Sequence, residues 1–167
     1  KWIAAAIREQ EGKGRFVVGG EESYGYMIGD AVRDKDAVAA ACLICEMAHA
    51  AHREGLDMLG RLERIHRTHG AFREALVAQT KQGRAGKEEI AQQMESFRSN
   101  PPAELGGEPV VELRDYKSQT STNLTNGTTR SIDLPSSNVI QMITANGSIV
   151  TARPSGTEPK IKFYFSV

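Results

Sequence analysis

The hydrophobic period changes along this chain, and that change limits what it can fold into. Residues 36–53 are rich in Ala, Leu, Ile and Met, and Leu56, Leu59, Leu62, Ile65 and His69 then recur in steps of three and finally four, the spacing of one helix face. At the other end Ile161, Phe163, Phe165 and Val167 alternate with Lys162, Tyr164 and Ser166, the spacing of a strand with two different faces. A helix cannot present the second pattern and a strand cannot present the first, so the chain must combine both. The expected class is α+β.

Local signals place the elements. Residues 1–11 read as the end of a helix stopped by Gly12 and Gly14, and RFVVG (15–19) as a short buried strand. A loop over 19–33 precedes a helix that Asp34 or Asp36 can cap and that runs to about residue 53, with Gly55 ending it. Gly70 is a natural stop for the second helix. Residues 72–78 suit a strand, KQGRAGK (81–87) a polar connector, and 87–98 a helix with Ile90, Met94 and Phe97 on one side, ended by Asn100-Pro101-Pro102. Strands are expected near 109–116, 138–144, 148–153 and 161–167. The Ser-, Thr- and Asn-rich stretch 117–137 has little to bury and reads as a long mobile loop or an irregular hairpin. The expected division is 1–70, a linker or first-strand region at 71–86, and 87–167. The first piece is small for a whole α/β domain and the chain has no initiator Met, so it is expected to belong to something longer.

Composition removes several function classes. The 21 basic and 21 acidic residues balance, so a phosphate-driven nucleic-acid binder has no bulk charge to work with. No apolar run approaches the roughly 20 residues of a membrane span, and the N-terminal KWIAAAIREQEGKGR lacks the layout of a signal peptide. The expected location is cytoplasmic, with no nucleic-acid or membrane partner. Cys42 and Cys45 form a CxxC in an apolar, helix-like setting, where a buried helical pair is expected rather than a metal or redox centre. Asn123, Asn126 and Asn146 each open an N-x-[ST] triplet, read here as polar loop composition.

Chemistry concentrates in two loops. In Arg153-Pro154-Ser155-Gly156-Thr157-Glu158-Pro159-Lys160 the guanidinium offers a planar fork of donors suited to phosphate. Ser155 and Thr157 add hydroxyls, Gly156 lets backbone N–H groups approach an anion, and the prolines stiffen the frame. Lys162, on the strand beyond, could return a second cation toward the loop. The plain alternative is a tight turn with solvated cations. In Gly19-Gly20-Glu21-Glu22-Ser23-Tyr24-Gly25 the carboxylates and the hydroxyl are the groups that read vicinal sugar hydroxyls. Glu21 and Ser23 would face the same way in an extended segment. A helix cap or a solvated acidic turn would account for the same residues. Lys35, among Arg33, Asp34 and Asp36, sits where a helix start disfavours a cation. It is either held for a ligand or paired with a neighbouring aspartate.

GEESYGY followed by VRDKDAV, and later TARPSGTEPKIKFY, resemble the sugar-binding and phosphate-binding loops of the α-D-phosphohexomutase superfamily. The resemblance is to its bacterial phosphoglucomutase/phosphomannomutase branch, and NPP followed by GGEPV and DY between the loops is similar as well. The resemblance implies a C-terminal fragment: the end of an α/β third domain followed by most of an α+β fourth domain like the TATA-box-binding protein. It implies an intramolecular phosphotransferase that interconverts hexose 1-phosphate and hexose 6-phosphate through a phosphoserine and a glucose 1,6-bisphosphate-type intermediate. Glu21, Ser23 and Lys35 would hold the sugar, and Arg153, Ser155, Gly156, Thr157 and Lys162 the non-reacting phosphate. Tyr24 and Lys160 are secondary candidates.

The family's phosphoserine and its Mg2+ ligands belong to earlier domains, and the chain has no D-G-D stretch. The fragment is therefore expected to be inactive alone, its partners being the hexose phosphate and the N-terminal domains of the same chain. The family also continues into a terminal helix where this chain stops at a strand. A stand-alone phosphosugar-binding module without catalysis is the alternative. Glucose or mannose preference is left open.

Overall fold

A computed structural model describes residues 2–21 and 24–167. It divides into two compact units that meet in sequence at Gly70 and Ala71.

The first unit holds α1 (Trp2–Gln10), β1 (Val18–Gly20), β2 (Tyr26–Ile28), α2 (Ala37–Arg53) and α3 (Met58–His69). β1 and β2 form an antiparallel hairpin in which Val18 pairs with Ile28 and Gly20 with Tyr26. The sequence suggested loop throughout 19–33, but β2 lies inside it. Strand pairing with β1 creates that element, because three residues carry too little pattern to announce it alone. The strand expected at 15–19 begins at Val18, and Val17 and Val18 are exposed rather than buried. Gly19 is needed for packing: a Cβ there would lie 2.9 Å from the Ile3 Cγ2 on α1 and 3.1 Å from the Phe16 ring.

Asp36 is the N-cap of α2, its carboxylate accepting from the Val38 N–H at 3.0 Å, a cap worth about 1 kcal/mol. Gly55, at φ 74°, turns the chain after that helix, and Asp57 caps α3 through the Gly60 N–H at 2.7 Å. Gly70 closes α3 at φ 100°. α2 buries Ala40 and Ala51, whereas Cys42 and Cys45 are exposed free thiols, which corrects the expectation of a buried pair. On a helix that is apolar nearly all round, periodicity could not say which side packs inward.

The second unit is a sheet with one helix. Its elements are β3 (Glu74–Thr80), α4 (Gly83–Ser99), β4 (Glu104–Leu105), β5 (Glu108–Asp115), β6 (Thr120–Asn123), β7 (Thr129–Ser131), β8 (Ile140–Thr144), β9 (Ile149–Pro154) and β10 (Lys160–Ser166). The main path runs β3-β10-β9-β8-β5-β6-β7, with β4 paired to β5, and every pairing is antiparallel. The proposed connector 81–87 is mostly the first turns of α4. Two glycines in a polar segment hid a helix whose face includes Gly86, where a Cβ would meet Lys81 Cβ at 2.5 Å and its carbonyl carbon at 3.0 Å.

Ile90 and Met94 of α4 join Val110, Leu113, Ile140, Met142, Val150, Ala152 and Ile161 in one apolar core, with Phe97, Phe163 and Phe165 packed against it. The Phe97 and Phe163 rings meet edge to face, centroids 6.2 Å apart, a geometry the aromatic quadrupole favours.

The polar stretch 117–137 contains the β6–β7 hairpin. Side chains supply its order. The Asn123 Oδ1 accepts from the backbone N–H groups of Thr125 and Asn126, and the Asn126 Oδ1 from Thr128. The Asn146 Oδ1 likewise accepts from Thr144 Oγ1 and the Ser148 N–H. These asparagines are turn-formers. Among the described residues no helix is long and apolar enough to cross a membrane.

Candidate functional site

In the second unit α4 covers one face of the sheet, the side of Ile161, Phe163, Ala152 and Met142. On the opposite face, strand register brings Arg153 of β9 directly opposite Lys162 of β10. Residues directly opposite in an antiparallel pair share a face and stand close, and two cations there repel by a few tenths of a kcal/mol or more. Among the described residues neither has a carboxylate partner. The pair stands at the foot of the loop 155–159.

That loop is closed by the Ser155 N–H on the Lys160 carbonyl at 2.8 Å, and it is tied to β3's end by the Lys81 N–H on the Pro159 carbonyl at 2.8 Å. The Ser155 Oγ accepts from the N–H groups of Glu158 at 3.2 Å and Thr157 at 3.4 Å, so the hydroxyl shapes the turn and keeps its own proton to donate. Among the described residues, its two chain neighbours aside, nothing lies within 4 Å of where a Gly156 Cβ would be. Gly156 thus keeps space clear on the outer side of the loop.

The same face continues away from the loop. Thr151 stands opposite Tyr164 and Gln141, Gln141 opposite Arg114, Arg114 opposite Ser121, and Ser121 opposite Arg130. The Tyr116 hydroxyl donates to the Gln141 Oε1 at 2.8 Å, and the Gln141 Nε2 donates to Thr151 Oγ1 at 3.2 Å. Glu112 accepts from Arg114 Nε at 2.8 Å, Ser121 Oγ at 2.6 Å and Arg130 Nη2 at 3.1 Å. The Arg114 hydrogen bond, joined by Ser121, brings the Glu112 carboxyl down to about 2 against the desolvation that opposes it. Arg114 and Arg130 are thereby occupied, whereas Arg153 and Lys162 are not.

In the first unit the glycine loop is a turn closing the β1–β2 hairpin. The Glu21 N–H donates to the Gly25 carbonyl at 2.9 Å, and the Tyr24 N–H to the Glu21 carbonyl at 3.1 Å. Tyr24 adopts φ 63° and is exposed. The expectation that Glu21 and Ser23 face the same way rests on Ser23, which lies outside the described residues, as does Glu22. Lys35 comes to this turn from the start of α2: its ammonium is 3.2 Å from Asp34 Oδ1 and 3.9 Å from Glu21 Oε1. The hydrogen bond to Asp34, then the charges of Asp34 and Glu21, raise the Lys35 pKa. Arg33 turns away to pair with Glu11. Among the described residues no group of three or more His, Cys, Asp or Glu could hold a metal ion.

The family described as Phosphoglucomutase/phosphomannomutase, alpha/beta/alpha domain III matches residues 1–65. Over all 167 residues the chain is 40% identical to a phosphoglucomutase of Staphylococcus epidermidis and to one of Staphylococcus aureus. The chain belongs to the phosphohexomutase family. It corresponds to a C-terminal part of these relatives and spans 30% of their length. A phosphoglucomutase of Staphylococcus haemolyticus is 38% identical over the same 167 residues. The fold is shared with the open form of the Paramecium exocytosis-sensitive phosphoprotein pp63/parafusin, also named a phosphoglucomutase, at a TM-score of 0.58 and 15% identity, covering 99% of this chain and 28% of that one.

Two features of this phosphohexomutase chain escaped sequence reasoning. One is the polar row Tyr116, Gln141, Thr151, whose members come from the turn after β5 and from β8 and β9. The other is the tie between Gly25 and Lys35, ten positions apart. The alternation of Glu112 and Arg114 in β5 was the available signal for the first. The second had none, because only the hairpin brings those residues together.

Proposed function

We propose that this chain carries the sugar-binding and phosphate-binding loops of a phosphoglucomutase, an intramolecular phosphotransferase that interconverts hexose 1-phosphate and hexose 6-phosphate. The observation that carries this reading is the Arg153–Lys162 pair, two cations facing each other without a carboxylate beside a Ser-Gly-Thr turn. A phosphate dianion placed there removes their repulsion and accepts a planar fork from the guanidinium and a point charge from the ammonium. Ser155, Thr157 and the N–H groups around Gly156 supply the remaining donors.

In this reading the phosphate held at the clamp is the one that does not react. Glu21, Ser23 and Lys35 hold the sugar hydroxyls. The sugar binds in either direction, because the reaction passes through a glucose 1,6-bisphosphate-type intermediate that turns round between two phosphoryl transfers. Positioning of this kind is the main contribution binding residues make to phosphoryl transfer. The phosphoserine and the Mg2+ ligands lie in the N-terminal domains of the full-length protein, where the metal neutralises charge on the transferring phosphoryl group. The chain alone turns over nothing. The two free thiols suit a reducing cytoplasm. Mannose phosphate is accepted alongside glucose phosphate if the loop reads hydroxyls other than that at C2, making the protein a phosphomannomutase as well.

Titration of the chain with glucose 1-phosphate and inorganic phosphate, followed by NMR, tests the clamp. Shifts are expected at 153–162 and are lost in Arg153→Ala. In the full-length protein the same substitution is expected to raise KM for glucose 1-phosphate by about 10- to 100-fold, the worth of a charge-assisted hydrogen bond. A well-folded Arg153→Ala protein with unchanged KM and unchanged shifts would refute the assignment.

A further inference from the structure

Lys35 is the cation that the helix start disfavours, and its surroundings show what holds it there. Asp34 takes two hydrogen bonds from this one residue, the backbone N–H at 2.7 Å and the ammonium at 3.2 Å, both on the same Oδ1. That chelate fixes the side chain's first and last atoms relative to each other. Asp36 anchors the neighbouring backbone, its N–H donating to the Tyr26 carbonyl at 3.0 Å while its carboxylate caps α2. The stem of Lys35 then crosses Gly25. A Cβ on Gly25 would overlap the Lys35 Cδ, lie 2.9 Å from its Cγ and stand 3.5 Å from Glu21 Oε2. Gly25 has no positive φ, so conformational freedom is not what the position requires. It requires room for the lysine. The result is an ammonium and a carboxylate 3.9 Å apart. That is too far for a good hydrogen bond and suits one hydroxyl between them, accepting from Nζ and donating to Oε1 at about 2.8 Å each.

We propose that Asp34 and Gly25 are positioning residues of the sugar loop: Asp34 holds the Lys35 ammonium at the turn and Gly25 keeps open the gap its stem crosses, so that Lys35 and Glu21 read one substrate hydroxyl as donor and acceptor. The inference rests on the phosphoglucomutase reading of this loop. Asp34 and Gly25 touch no substrate and act through Lys35. A methyl group at Gly25 would meet only side-chain atoms of Lys35 and Glu21, so it displaces the lysine without disturbing the fold.

The test uses the full-length protein with Asp34→Asn, Gly25→Ala, Lys35→Ala and the two double variants that add Lys35→Ala. Lys35→Ala is expected to lower kcat/KM for glucose 1-phosphate by more than about tenfold. Asp34→Asn and Gly25→Ala are each expected to lower it by about tenfold, within the roughly 100-fold that a 1 Å misplacement can cost. Each double variant is expected to match Lys35→Ala alone, and Asp34→Glu to recover most of the loss. A second readout is the Lys35 amine, 13C-methylated and assigned by its disappearance in Lys35→Arg. Its titration is expected to fall toward the ordinary lysine value in Asp34→Asn. Unchanged kcat/KM in Lys35→Ala would overturn the reading of the loop itself. A large loss in Lys35→Ala with none in Asp34→Asn and Gly25→Ala, or losses that add in the double variants, would overturn the positioning roles and leave the loop assignment standing.

Discussion

Arg153 and Lys162 face each other across the β9–β10 ladder on the side of the sheet away from α4, and among the described residues neither pairs with a carboxylate. Opposed like charges cost stability, so the pair is an electrostatic liability that an anion relieves. Lys162→Met is expected to stabilise the ligand-free protein by about 0.5 kcal/mol and to abolish the rise in Tm that inorganic phosphate produces in the parent. Thermal scans with and without phosphate decide it. A phosphate-induced rise that survives in Lys162→Met would show that the lysine takes no part.

Two glycines make opposite predictions. The space beyond Gly156 is open and its φ is not positive, so Gly156→Ala is expected to change stability by less than about 0.5 kcal/mol while weakening phosphate binding. A Cβ at Gly86 runs into Lys81, including its backbone carbon at 3.0 Å, so Gly86→Ala is expected to destabilise by about 1–3 kcal/mol despite alanine's better helix propensity. Denaturant titrations and phosphate affinities measured on both variants separate the two roles.

Glu112 sets an acid limit. Its carboxyl titrates at about 2 when folded, against 4.5 as a free side chain, chiefly through the Arg114 hydrogen bond and that of Ser121. A depressed folded pKa stabilises above the unfolded value, and that contribution drains away as pH falls from about 4.5 to about 2. Glu112→Gln is expected to flatten the stability profile across this window. Unfolding free energies measured at several pH values between these limits provide the check, and a slope equal to the parent's would disprove the linkage.

Arg98 joins the end of α4 to the sheet. Its Nε donates to Asp115 Oδ1 at 3.2 Å and its Nη2 donates to Asn138 Oδ1, with both Arg98 and Asp115 side chains 12% exposed. Asp115 also accepts from Ser118 Oγ at 2.7 Å and the Lys117 N–H at 3.1 Å. Asp115→Ala is expected to cost about 3 kcal/mol, because it takes the acceptor from Arg98 Nε and from the donors of Lys117 and Ser118. Replacing Arg98 and Asp115 together by Met and Leu is expected to cost less than the sum of the single changes, which a double-mutant cycle measures.

Short-range signals were legible in the sequence wherever one residue or one repeat decides the matter. Asp36 caps α2 because its carboxylate reaches two residues along its own chain. Gly55 and Gly70 end helices through their own φ angles, and Ile90, Met94 and Phe97 form a face through helical spacing alone. The alternation of 161–167 gave β10 its two faces, and both candidate loops stand out by composition. None of these needs a partner distant in sequence.

Tertiary structure decided what depends on register and on which side packs. Lys162 meets Arg153 rather than one of its neighbours only because β9 and β10 pair in one register, and a slip of one residue would send the two cations to opposite faces. β2 exists because β1 is beside it, and the Lys35 stem crosses Gly25 only because the hairpin and the start of α2 come together. Cys42 and Cys45 are exposed because α2 packs through Ala40 and Ala51, a choice that a helix apolar on every side leaves to its neighbours. Period and capping are properties of adjacent residues. Strand register and packing direction come from hydrogen bonds and buried area shared by residues far apart along the chain, and these form only on folding.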